Sequence, residues 1–158
     1  LKGVHKEKHG VAGNDFSAID HNIPTIFELV KKTNKNLKTV AHSHWKPIIT
    51  EIFEADSLDK SSSGPDAVMA WRIKRNIQKD KGDLYFVQLD DCDHAGHSHE
   101  YNVNSEKYMA QVEKTAISCN FVWNYTPYIF SWMCLFFSIF HKFHFVGFFH
   151  FKEFLCLD

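Results

Sequence analysis

The chain has 158 residues, 44% of them hydrophobic, which suffices for one domain with a core of its own. A formal net charge of -1 argues against a partner gripped mainly through phosphate charge, so no nucleic-acid partner is expected. Four cysteines, Cys92, Cys119, Cys134 and Cys156, form neither a CxxC pair nor a dense disulfide framework, which argues against a structural zinc knot and leaves the redox compartment open.

The first residues, "LKGVHKEKHG", hold no apolar stretch that could be a secretion signal, so the N-terminus is expected to be cut, with any targeting signal outside these residues. "PTIFELVKKTN" (24–34) places Ile26, Leu29 and Val30 at helical spacing after a proline suited to a first turn, and ends in lysines that favour a helix C-terminus. "LKTVAH" (37–42) reads as a short strand and "PIITEIFEA" (47–55) as a short helix. "DSLDKSSSGPD" (56–66) reads as a loop. "PDAVMAWRIKRNIQKD" (65–80) reads as a helix with Ala70, Ile73 and Ile77 on one face. "LYFVQLD" has the apolar content of a strand buried on both sides, and "SEKYMAQVEKTAI" (105–117) returns to helical spacing through Met109, Val112 and Ala116. This alternation predicts an α/β domain with a largely parallel sheet, in which ligands gather beyond the carboxyl ends of the strands.

Just there lies "LDDCDHAGHSHE" (89–100), with three aspartates and three histidines in twelve residues. Asp93 and His97 stand four apart, with Gly96 between them to let the backbone turn tightly. Carboxylate and imidazole both suit a zinc-like ion, yet an ion needs three or four ligands and a solvated turn also accounts for the pattern. His42, His44 and Trp45 either line a substrate cleft or are polar residues at a strand end.

"DHAGH" after a buried strand, followed by a helix opening "SEKYMAQVEK", resembles the alkaline phosphatase superfamily, and within it the type I phosphodiesterase/nucleotide pyrophosphatase branch. "GVHKEKHGVAGND" (3–15) is similar to the segment following the nucleophile in that branch: a Gly, five residues, His-Gly, then an Asn. The likeness covers roughly residues 1–117. It implies a partial three-layer α/β/α catalytic domain over 1–120, a small-molecule phosphate ester or nucleotide as substrate, and a secreted or membrane-associated location. In the family two Zn2+ ions are held by six protein ligands; Asp93 and His97 match two of these. Asn14 matches the Asn that donates hydrogen bonds to a phosphate oxygen as negative charge builds there, although a turn residue would look the same. His9 is expected to serve the fold.

By the family's spacing the nucleophilic Thr or Ser and the early Asp ligand would precede Leu1, and the later Asp-His pair has no counterpart in the sequence after "VEKTAIS". The chain by itself is therefore expected to hydrolyse no phosphate ester and to bind zinc weakly. "DHAGH" alone does not separate phosphodiesterases from the sulfatases and phosphoethanolamine transferases of the superfamily. Outside enzymes, an inactive membrane-associated or metal-binding remnant fits the same residues.

Residues 121–158 hold 11 of the 15 phenylalanines and only four charged side chains, and are unlike the family. Three readings apply: read-through of T- and A-rich non-coding sequence, a membrane-associated segment through "YIFSWMCLFFSIF", or a native core element. "NYT" (124–126) is a glycosylation sequon if the segment is translated into a secretory lumen.

Overall fold

The computed structural model describes residues 1–79, 81–123 and 146–151, the side chains of 121, 123 and 146–151 excepted. Its centre is a sheet of four strands, β1 (Thr39–Ser43), β2 (Lys60–Ser63), β3 (Leu84–Leu89) and β4 (Val146–Phe151), in the order β2-β1-β3-β4. The first three are parallel, and β4 runs antiparallel to β3 with Phe86 opposite Phe149. The α/β class follows directly.

Helices cover both faces. Alternate residues of β1 and β3 point to opposite sides. Ala41, Leu84 and Phe86 meet Phe27, Ile48 and Phe53 on one side, while Val40, Tyr85, Val87 and Leu89 meet Met69 and Ile73 on the other. Every residue of β3 is buried, polar Gln88 included, as the apolar content of "LYFVQLD" predicts. The first face is closed by α2 (Ile26–Thr33) and a π-helical turn (Ile48–Ile52), the second by α3 (Asp66–Gln78) and α5 (Glu106–Trp123). A short α1 (Lys6–His9) precedes them, and α4 (Asp91–His99) follows β3 directly.

Several expectations need correction. Pro24 does not open α2; Thr25 caps it, accepting from the Glu28 amide at 3.2 Å. Leu29 is half exposed, and Phe27 takes the buried place. The span 56–66 is not all loop: Lys60–Ser63 pairs with Val40–Ser43, and its approach is tied down because Asp59 Oδ2 accepts from the Thr39 amide at 2.7 Å. On α5, Met109 and Ala116 face water, while Tyr108 and Thr115 are buried and Cys119 and Val122 lie against the core. That helix also runs past residue 120 to Trp123.

Of the aromatic segment, the last turn of α5 (121–123) and β4 are described; the apolar stretch read as membrane-associated and the sequon lie outside the described residues. Among the described residues no helix is long and apolar enough to cross a membrane.

Candidate metal centre

Each parallel strand delivers one chemistry-bearing residue just past its carboxyl end. His44 follows β1, Asp66 opens α3 after β2, and Asp91 opens α4 after β3. His44 Nδ1 lies 3.0 Å from Asp66 Oδ1 and 3.0 Å from Asp91 Oδ1, and the three donor atoms all fall within 4.8 Å of one another. The three residues could hold a metal ion. A tetrahedral ion at roughly 2.1 Å from its ligands sets them about 3.4 Å apart. The two separations from His44, 3.0 Å each, would open by a few tenths of an ångström to reach that spacing. One imidazole and two carboxylates suit several first-row divalent ions, so the donor set alone does not single out zinc.

Asp66 is 1% exposed and fixed by its neighbours. Its Oδ1 accepts from the Asp90 amide at 2.8 Å and its Oδ2 from the Asp91 amide at 3.1 Å. A side chain from α3 thus satisfies the unpaired donors at the start of α4, which join the carboxylate in orienting Asp91. Gln88, buried at the end of β3, donates to Asp90 Oδ1 at 2.7 Å and accepts from Ser43 Oγ and the Trp45 amide, locking the residues on either side of His44.

Negative charge accumulates at this end of the sheet. Burial, then Asp93, raises the Asp90 carboxyl above its ordinary range. Burial, then Asp66, raises Asp91, with His44 opposing. A bound cation would relieve both.

Asp93 and His97 are brought together, though not in a turn. Both lie on α4, with His97 Nε2 3.4 Å from Asp93 Oδ2. The expected role of Gly96 is corrected accordingly: it sits inside the helix, buried, where an added Cβ would stand 2.0 Å from the Tyr101 ring. Tyr101 uses that space to donate its hydroxyl to Asp93 Oδ1 at 2.6 Å and to set its ring against His97. Partial burial and the Asp93 charge hold the Tyr101 phenol well above its usual pKa. His97 is open to water, and among the described residues the pair is not joined by a third ligand.

Asn14 is exposed in the loop between α1 and α2. Among the described residues no hydrogen bond joins it to His44 or Asp93, but Phe16, two residues on, packs its ring 5.6 Å from that of Trp45, which follows His44. His9 makes a local contact: its Nδ1 accepts from the Val11 amide at 3.0 Å. Gly10 beside it takes φ 77, where any Cβ would strike the Ala18 carbonyl.

Sequence reasoning left His44 undecided and missed Asp66 and Asp91. Asp66 could not be found while β2 was read as loop, since its significance is its place beyond a parallel strand. Asp91 was overlooked beside the stronger spacing of Asp93 and His97. Comparison with known protein families, with curated proteins and with solved structures finds no match to the chain.

Proposed function

We propose that the chain is part of a zinc-dependent phosphodiesterase or nucleotide pyrophosphatase with an alkaline-phosphatase-like core, acting on small-molecule phosphate esters or diphosphates. The observation that carries this reading is the pairing of Asp93 with His97 on one face of α4, at the carboxyl end of a buried parallel strand. That is where the "DHAGH" resemblance needs two zinc ligands, and Tyr101 holds the carboxylate in place for them. In this reading Asp93 and His97 would hold a zinc ion, which when bound would supply Lewis-acid chemistry to the phosphoryl group. Asn14 steadies a phosphate oxygen from the loop anchored on Trp45. With two of the family's six ligands and no nucleophile, these residues alone do not complete the reaction.

Sequencing the transcript across both ends and expressing what it encodes gives the test. A chain with an upstream Thr or Ser motif and a downstream Asp-His pair should hydrolyse bis(p-nitrophenyl) phosphate in the presence of zinc. D93N and H97A should each lower kcat at least 100-fold, while the 158 residues alone show no turnover. An extended chain indifferent to both substitutions would refute the assignment.

A second reading, a metal-binding domain without hydrolytic activity, draws on the His44–Asp66–Asp91 group, which contains none of the residues carried over from the family. Metal binding without turnover in the extended chain would favour it.

A further inference from the structure

Away from the metal centre, between β2 and the second half of α3, lies an open cleft of about 480 Å3. Lys60 reaches it from β2, and Arg72 and Arg75 reach it from α3. None of these three cations has a carboxylate within ion-pair distance among the described residues. Arg72 donates to the Ser63 carbonyl at 3.3 Å, and the Arg75 guanidinium lies 5.2 Å from the centre of the Trp71 ring. The acid of the cleft, Asp59, is already engaged by Lys31 and by the Thr39 amide.

The floor is built from donors as well. His42 is 3% exposed, with Nε2 2.8 Å from the Asn76 amide nitrogen and Nδ1 2.6 Å from Ser62 Oγ. With Asn76 donating to Nε2, the ring proton sits on Nδ1 and is given to Ser62. Among the described residues the Ser62 hydroxyl proton then has the Met69 sulfur alone, at 4.0 Å. One proton of the Asn76 side-chain amide has no hydrogen-bond partner among the described residues either. Burial, with Arg72 and Lys60 adding to it, keeps His42 neutral at physiological pH. The cleft therefore presents unpaired positive charge over neutral donors, with its acid occupied.

We propose that this cleft binds a small polyanion bearing phosphate groups, of about the size of pyrophosphate. Two guanidinium groups three residues apart on one helix suit phosphate oxygens better than a single carboxylate, and Lys60 faces them from the strand. The volume exceeds what one phosphate fills. Arg72 to Asn76 lie six to ten residues along α3 from Asp66, roughly 9–15 Å at the rise of a helix, so the site is separate from the metal centre. It uses none of the residues on which the phosphodiesterase reading rests.

Titration of the full chain with inorganic pyrophosphate, in EDTA to silence any metal, tests the proposal calorimetrically and by NMR of the histidine rings. Saturable binding is expected, weaker at high salt, with the His42 resonances moving. R72Q and R75Q should each weaken binding at least tenfold, and H44A should leave it unchanged. Arg75 is exposed, so R75Q decides the matter should R72Q fail to fold, as circular dichroism would show. Absence of saturable binding by the folded chain, indifference to R75Q, or loss of binding in folded H44A would each overturn the proposal.

Discussion

His42 and His44 stand two residues apart on the same side of β1 and its extension, yet their surroundings give them opposite roles. His42 is sealed between Ser62 and Asn76, whereas His44 emerges between two carboxylates. Burial, with Arg72 and Lys60, pushes the His42 pKa from 6.5 to about 4. The folded state thus binds the proton less readily than the unfolded chain does. His42 therefore contributes stability that is fully present above pH 6.5 and is lost as pH falls toward about 4. By linkage the loss is about 3 kcal/mol. Urea unfolding at a series of pH values should show this decline, and H42N should flatten it. An unchanged pH profile in H42N would show that His42 does not supply the proton linkage. The sequence made Asp93 and His97 legible, because four residues along one helix suffice to bring them together. Asp66 and His44 meet across 22 residues of chain, and no local spacing records that contact.

The elements follow the same logic. The helices 24–34 and 65–80 and the strand 84–89 were legible from periodicity and apolar content, because packing against the sheet is what the periodicity encodes. β2 was not, since "KSSS" has no apolar alternation; it lies at an edge and is placed by its pairing with β1. α5 shows how period can be right and phase wrong: its buried face runs through Tyr108 and Thr115, each one residue before the expected Met109 and Ala116. α4 was hidden by composition, because Gly96 and a run of Asp and His favour turns. Its first turn is satisfied by Asp66 from a distant helix. The missing Cβ of Gly96 admits Tyr101 rather than bending the chain. In an ordinary helix Gly→Ala adds up to about 1 kcal/mol of stability. Here G96A should instead displace the Tyr101 ring, break its hydrogen bond to Asp93 and return the phenol toward its ordinary pKa of about 10. NMR titration of the tyrosine rings reads this directly. A Tyr101 pKa unaltered in G96A would mean that the ring does not depend on the missing Cβ.

At the scale of the whole molecule, three parallel strands aim His44, Asp66 and Asp91 at one point beyond their carboxyl ends, the place where open α/β sheets bind ligands. The hydrophobic faces and the site are separate products of one architecture: alternation along β1 and β3 builds two cores, and the strand ends bring the donors together. The α/β class was legible from the alternation of elements, but the convergence of these three side chains depends on strand order, which the sequence does not state. The Asp93–His97 pair begins two residues further along α4, so the same helix carries both groups. The most direct measurement is calorimetric titration of the chain with Zn2+ at neutral pH, alongside H44A and D91N. A saturable site weakened at least tenfold by either substitution, with Co2+ competing for it, is the predicted result. Zinc binding undiminished in both variants, or absent from the folded chain, would contradict a metal centre at the ends of the parallel strands.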